Sequence, residues 1–401
     1  MNRKLLFLLG LLAGTGGMLP AQAQSLSDAL VQAWARHPTA ATMPAREDEV
    51  AARREASASL LPGAPSVSLS NLNDRYHRDV GRNEWEVEMA VPLWLPGQWS
   101  AREAEAESAG SEFAARRLAL RLQVAGEVRE AWWAVASARA AEQLAKQRLA
   151  SAQQLERDVQ RRFKLGDLSR VDANLARSEL LASEAEMLEA QAGLLAAEQS
   201  YAQLTGVAPP ALLQAEAPAD TIPAPETHPG LLAVAANAQL ARSRLKVADE
   251  SRRDSPELAF RVMRERGSVD ESYSNAVGFK ITIPFSSGPR VRHENAAARA
   301  ELSQADAELA QAKLKMQQQL DKAGRELASA ERQLVMASER KALAADNLRL
   351  AEKSFALGES DLASLLRIRT AAFEAEALYR RQTIGQSAAQ SRLKQAMGVL
   401  P

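Results

Sequence analysis

The stretch Glu84-Trp85-Glu86-Val87-Glu88-Met89-Ala90-Val91-Pro92-Leu93 decides how the chain is read. Its residues alternate. Trp85, Val87, Met89 and Val91 fall on one face, and Glu84, Glu86, Glu88 and Ala90 on the other. A period of two is that of a strand with one apolar and one wet face. Three glutamates side by side require water behind the wet face, because an unpaired carboxylate in a protein core is too costly. A soluble amphipathic hairpin on a helical body would alternate in the same way, so the strand has to be weighed with the rest of the chain.

A second stretch repeats the pattern about 190 residues later. Val277, Phe279, Ile281 and Ile283 face one way and Gly278, Lys280 and Thr282 the other. Weaker strands precede each, Ser66 to Leu72 and Leu258 to Met263, across the polar loops Asn73 to Asn83 and Arg266 to Ser274. Tilted strands of about ten residues match the apolar band of an outer-membrane barrel. Trp85, Val87, Met89, Val91, Val277, Phe279, Ile281 and Ile283 are then lipid-facing, and Glu84, Glu86, Glu88 and Lys280 line the lumen. Four strands are too few, since the smallest closed barrels need about eight. An open sheet in lipid leaves unpaired edges. The subunit must therefore oligomerise.

The strands belong to a longer repeat at an offset of 192 residues: Pro92-Leu93 with Pro284-Phe285, Phe163, Leu165 and Gly166 with Phe355, Leu357 and Gly358, Arg177 with Arg369, and Gly206-Val207 with Gly398-Val399. An ordered series at one offset points to two structural halves, 24–208 and 230–401, joined by a Pro- and Ala-rich linker over 209–229. Each half reads as helix, hairpin, very long helix, final helix. The first helix spans about Ser27 to Leu60, capped by Ser27-Asp28, and its partner about Pro229 to Arg253. The long helices span about Gln98 to Lys164 and Arg290 to Ala356, and the final ones end at Gly206 and Gly398. At 1.5 Å per residue a long helix reaches roughly 100 Å. The first and final helices together match it, which predicts that they stack end to end beside it. Leu302, Leu309 and Met316, then Leu320, Leu327 and Leu334, are heptad-spaced for side-by-side packing.

Composition agrees with long helices. Among 401 residues aromatics are 4% and charged residues 25%, and the net charge of +0 gives no reason for nucleic acid as a partner. Arg3 and Lys4, the apolar run Leu5 to Leu12 and Ala21-Gln22-Ala23 read as a signal peptide over 1–23. There is no cysteine for a disulfide or a lipid anchor, and no later run of 18 apolar residues.

With these features in place, the chain resembles the outer membrane efflux protein (TolC) family. The resemblance is carried by Val91-Pro92-Leu93-Trp94, Ile283-Pro284-Phe285, the Phe-x-Leu-Gly turns at 163–166 and 355–358, and Leu204-Thr205-Gly206. The run Val91 to Gly97 followed by Ala101-Arg102 is most similar to the heavy-metal-cation, cobalt-zinc-cadmium branch. The resemblance implies a mainly α protein with a small membrane β-barrel: a homotrimer with twelve strands in the barrel and a periplasmic α-barrel. A periplasmic adaptor (membrane fusion) protein and an inner-membrane proton-coupled pump of the resistance-nodulation-division type dock at the inner end. It places that tunnel tip and docking surface at Leu165, Gly166, Asp167 and Leu168 and at Leu357, Gly358, Glu359 and Ser360. Gate charges fall at Asp172, Arg177, Asp361, Arg367 and Arg369. Ser364 and Arg367 stand where family members often carry acids.

No catalytic chemistry is signalled. His37, His77, His228 and His293 have no i, i+4 His partner, so no metal site is read, and His37 and His228 before proline read as structural. Phosphate loops, nucleophile elbows and H-E-x-x-H are absent. The chain therefore reads as a passive duct without cofactor, with energy supplied by a partner. An exit channel for drugs or for type I protein secretion is the alternative within this class. A periplasmic coiled-coil adaptor or scaffold is the alternative outside it.

Overall fold

The computed structural model describes residues 25–218, 223–285 and 288–401. The leader assigned to 1–23 lies outside the described residues. Seven helices and four strands follow in order: α1 Leu26–Arg36, α2 Pro38–Ser57, β1 Ser66–Asn73, β2 Asn83–Pro92, α3 Gln98–Lys164, α4 Arg170–Thr205, α5 Pro229–Glu250, β3 Glu257–Arg266, β4 Ser274–Thr282, α6 Gly288–Ala356 and α7 Leu362–Ala396. The helix–hairpin–long helix–helix plan is present twice.

The first helix departs from expectation. It is broken at His37-Pro38, because proline lacks the N–H that a continuing helix needs. His37 is in extended conformation, and its Nδ1 accepts from Thr39 N at 3.3 Å, capping α2. The cap of α1 is Ser25 rather than Ser27: Ser25 Oγ accepts from Asp28 N, and the Asp28 carboxylate accepts from Ser25 N, a capping box. In the second half His228 Nδ1 caps Gly230 N at 3.1 Å. There a 3-10 turn, Pro225–Thr227, precedes α5, with no second copy of α1 among the described residues.

The helices form four columns. α3 packs on α2 and α4 along one side and on α5 and α7 along the other, and α5 and α7 pack in turn on α6. The long α3 (67 residues) and α6 (69 residues) are therefore continuous columns, and the other two columns are jointed. At the joints Gly206, behind α4, lies against Arg36, and Gly398, behind α7, lies against His228. The end-to-end stacking inferred from helix lengths is observed. Leu302 and Leu309 pack on Ala238 and Ala241, and the remaining heptad residues of α6 are half-buried.

The core sits at the joint. Leu26, Ala29, Leu30 and Ala33 of α1 pack with Val124, Val128, Trp132 and Val135 of α3 and Tyr201 of α4. Chain following α4 is pinned there and is not a slack tether. Arg139 donates to the carbonyls of Pro210 and Ala211 and pairs with Glu198 at 3.0 Å. Trp132 Nε1 donates to Gln214 O at 3.2 Å. Arg129, 2% exposed, makes a bidentate pair with Glu216 at 2.9 and 2.8 Å. Its remaining donors go to Gln395 Oε1 at 2.5 Å and Val399 O at 2.9 Å. One guanidinium thus joins α3, the linker and the end of the chain.

Burial alone would raise the Glu216 carboxyl. Hydrogen bonds from Arg129 and Ser391, with the charges of Arg129 and Lys394, outweigh it and hold the group below the ordinary value. Such a group stabilises the fold above its unfolded value near 4.5, and that contribution is lost as pH falls through it toward the folded value. Arg129→Met removes the bidentate partner of a buried carboxylate, leaving it Ser391 and the more distant Lys394, and is expected to cost about 3 kcal/mol in denaturant unfolding of the detergent-solubilised protein. Glu216→Gln is expected to flatten the acid limb of the stability–pH curve below about 4.5.

Candidate functional site

The sheet runs β1-β2-β3-β4, antiparallel throughout. Its register brings the alternating residues into rows. Val67 lies opposite Met89 and Leu69 opposite Val87. Met89 lies opposite Phe260 and Val87 opposite Val262. Phe260 faces Phe279 with ring centroids 5.4 Å apart, and Leu258 faces Ile281. Trp85, Val87, Met89, Val277, Phe279 and Ile281 stand on one exposed face, and Val91, half-buried, continues their row. Ile283 is exposed one residue beyond the end of β4. The apolar face therefore has no partner among the described residues.

Glu84, Glu86, Glu88 and Lys280 share the opposite face. Lys280 Nζ pairs with Glu88 at 3.3 Å and Arg261 with Glu86 at 3.5 Å, and Arg82 reaches Glu84 at 3.5 Å. Partly exposed pairs of this kind contribute under about 1 kcal/mol each, so they order the side chains more than they hold the sheet. Register places Glu257 and Glu265 on the same face, leaving it acidic. Arg261 went unread in the sequence, although Ala259, Arg261 and Met263 alternate with Leu258, Phe260 and Val262.

The two Leu-Gly turns come together at the far end of the helices. Gly166 and Gly358 both take positive φ, +86° and +76°. Each closes a Schellman turn: Asp167 N donates to Arg162 O and Gly166 N to Phe163 O, as Glu359 N donates to Ser354 O and Gly358 N to Phe355 O. Leu165 and Leu357 project into solvent, while Leu168 packs beneath the turn. One apolar cluster, Leu155, Val159, Ala173, Ala176, Phe355, Leu362 and Leu365, binds the two turns into one tip. Arg162 lies 5.0 Å from the Phe355 ring centroid and donates to Phe355 O at 3.4 Å, a cross-link absent from the sequence expectations.

Three of the charges expected to gate the tip, Asp172, Asp361 and Arg369, have partners within the chain. The Asp172 carboxylate accepts from Ser169 N and Oγ at 3.0 and 2.7 Å, the capping box of α4. Asp361 caps α7 by accepting from Ser364 N at 2.6 Å. Hydrogen bonds from the Ser364 backbone and hydroxyl, with the Arg367 charge nearby, hold the Asp361 carboxyl below its ordinary value. Arg369 pairs with Glu352 of α6 at 3.0 Å. Among the described residues no intrachain ion pair links Asp172, Arg177, Glu359, Asp361 and Arg369 to one another. No group of three or more metal-ligating side chains is assembled, and no helix is long and apolar enough to cross a membrane, again among the described residues.

Comparison with known proteins adds to this geometry. The family model described as outer membrane efflux protein matches residues 23–207 and 224–399. The chain belongs to the outer membrane efflux protein family. It is a protein of the outer membrane with a long periplasmic helical part, and not an enzyme. It is similar to the cobalt-zinc-cadmium resistance protein CzcC of Cupriavidus metallidurans, 29% identical over 206 residues. That match spans 49% of this chain and about half, 49%, of the relative. Its fold is that of solved channels: the outer membrane protein VceC of Vibrio cholerae (16% identity, 93% and 96% of the two chains, TM-score 0.74) and the Campylobacter jejuni CmeC outer membrane channel (16%, 93% and 85%, 0.75). CusC is a third (15% identity, 94% and 92%, TM-score 0.75).

This efflux-family protein places glycine under two different constraints, which substitution separates. A Cβ on Gly358 would meet nothing within 4 Å, so Gly358→Ala carries only the backbone cost of a left-handed residue, about 1–2 kcal/mol. At Gly398, φ +76°, the Cβ would also stand 2.7 Å from His228 Cδ2. Gly398→Ala is expected to lower the thermal midpoint by clearly more than Gly358→Ala, read by circular dichroism.

Proposed function

We propose that three copies close into one conduit that serves as the passive outer-membrane exit of a tripartite efflux system, with heavy-metal cations as cargo. The observation that carries the reading is the pair of unpaired sheet edges. β1 (8 residues) and β4 (9 residues) each have one neighbour, so about sixteen backbone groups lack partners. In lipid each costs several kcal/mol, tens in sum, which rules out an isolated subunit in the membrane. Pairing β4 of one copy with β1 of the next removes the penalty, and three copies give twelve strands. The apolar face then meets lipid, and the acidic face lines a lumen suited to cations.

The helices support closure in the same order. The outermost columns are α2 with α4 on one side and α6 on the other. α4 exposes Leu181, Leu188 and Leu195, spaced by seven, and α6 exposes Met336, Leu343 and Leu350, also spaced by seven. Counted from the tip at 1.5 Å per residue, the two stripes interleave when α6 of one copy lies antiparallel to α4 of the next. The tip, with Leu165 and Leu357 exposed, then faces a periplasmic adaptor, and an inner-membrane proton-coupled pump of the resistance-nodulation-division type supplies the energy. Opening separates the cross-links there, Arg162–Phe355 and Arg369–Glu352. Similarity to CzcC supports the metal cargo.

Leu188→Glu with Leu343→Glu is expected to convert trimer to monomer in detergent by light scattering, and to abolish single-channel conductance in planar bilayers. A wild-type protein that never conducts, tip variants included, would sink the channel reading. A deletion strain is expected to lose tolerance to cobalt, zinc or cadmium; loss of drug tolerance alone would transfer the cargo to the drug-exit alternative.

A further inference from the structure

At the loop end of β3 the residue type on the apolar face changes abruptly. Leu258, Phe260 and Val262 are followed in the same row by Arg264 and Arg266. Register confirms the face: Arg264 lies opposite Trp85 on β2 and Asn275 on β4, and Arg266 opposite Asn83. Both guanidinium groups sit on one ring, Arg264 at 4.6 Å and Arg266 at 5.0 Å from the Tyr273 centroid.

Two like charges gathered on one tyrosine repel unless an anion lies between or beside them. Among the described residues no carboxylate comes within salt-bridge distance of either arginine. Nearby loop acids are turned elsewhere: Glu271 Oε2 accepts from Gly267 N at 2.8 Å and Asp74 Oδ2 from Val80 N at 3.0 Å. Arg266 Nε donates to Gly81 O at 3.1 Å, which fixes that side chain while its terminal nitrogens make no hydrogen bond among the described residues. Arg264 is exposed. The ring holds the guanidinium groups in place before any ligand arrives, so little side-chain entropy is lost on binding.

We propose that Arg264 and Arg266, held on Tyr273, bind the phosphate of an anionic lipid headgroup at the outer rim of the apolar band. Phosphate is the group a pair of guanidinium forks matches, accepting two parallel N–H bonds from each. A lipid is the source because the pair tops an apolar column whose Phe260 and Val262 face the same way as the arginines, so acyl chains lie below the headgroup. Trp85 flanks Arg264 in the cross-strand row, as aromatic residues flank the headgroup level of barrels. The site rests on the reading of the apolar sheet face as lipid-facing.

The test uses the full-length trimer in detergent, titrated with a glycolipid bearing phosphate monoesters, with a neutral glycolipid of the same acyl length, and with inorganic phosphate, followed by thermal midpoint. The phosphorylated lipid is expected to raise the midpoint at a concentration where the other two do not. Its half-effect concentration should rise roughly fivefold for Arg264→Gln and about 25-fold for the double Gln variant, as surface arginines near lipid phosphate typically behave. If the Gln pair fails to fold, Arg264→Lys with Arg266→Lys decides, since it keeps charge but loses the forks, and a several-fold weakening is expected. Equal affinity in every variant, equal response to the neutral lipid, or equal response to inorganic phosphate would each overturn the site. The barrel reading fails separately, by absence of conductance in wild type, and conductance of the arginine variants should match wild type.

Discussion

The constraint on which this structure depends is the backbone hydrogen bond in lipid. A four-stranded sheet with one apolar face is unremarkable in water, where solvent satisfies its edges. In a bilayer the same edges cost tens of kcal/mol, more than the whole stability of a typical domain. The helix columns continue below the sheet in an order that leaves the first half's elements on one flank and the second half's on the other. Each flank carries an exposed apolar stripe, Leu181, Leu188 and Leu195 on α4 and Met336, Leu343 and Leu350 on α6.

Much of this was legible because the periodicities are strong. Glu84 to Val91 alternates over eight residues, and α3 and α6 carry uninterrupted helical composition over more than sixty, so their bounds were read almost to the residue. The duplicated turn sequence marked the ends of α3 and α6, and the two turns share one apolar cluster. The break at His37-Pro38 was missed because an X-Pro step is compatible with both a kink and a helix start, and only the Nδ1 cap of His37 settles it. Individual partners at the tip were not legible. A carboxylate near a helix start serves equally as a cap or as half of an ion pair, and sequence does not say which. For Asp172 and Asp361 the local cap won, since a hydrogen bond three residues away costs little chain entropy.

The linker shows a second limit of composition. Pro209 to Pro229 looks like a tether, yet its first part is sewn to α3 by Arg129, Trp132 and Arg139, residues 71 to 87 positions away in sequence. Nothing in a Pro- and Ala-rich stretch signals such anchoring; the signal lies in the arginines of α3, which read as ordinary helix-surface charges. Because Arg129 also holds Gln395 and Val399, this buried cation adds a polar tie between the two halves to the packing of α3 on α5 and α7.

The jointed columns have a mechanical consequence. α3 and α6 are unbroken rods, whereas their neighbours are interrupted at Gly206 and Gly398, midway down the body. Bending a continuous helix means stretching its hydrogen bonds, but turning one segment against another at a joint does not. Each lower segment is a lever of about 54 Å, so a rotation of about 10° at its joint would carry the tip end through about 9 Å. Such a rotation would be taken up at mid-height, where the core side chains pack, and would ask no deformation of the sheet at the other end of α3.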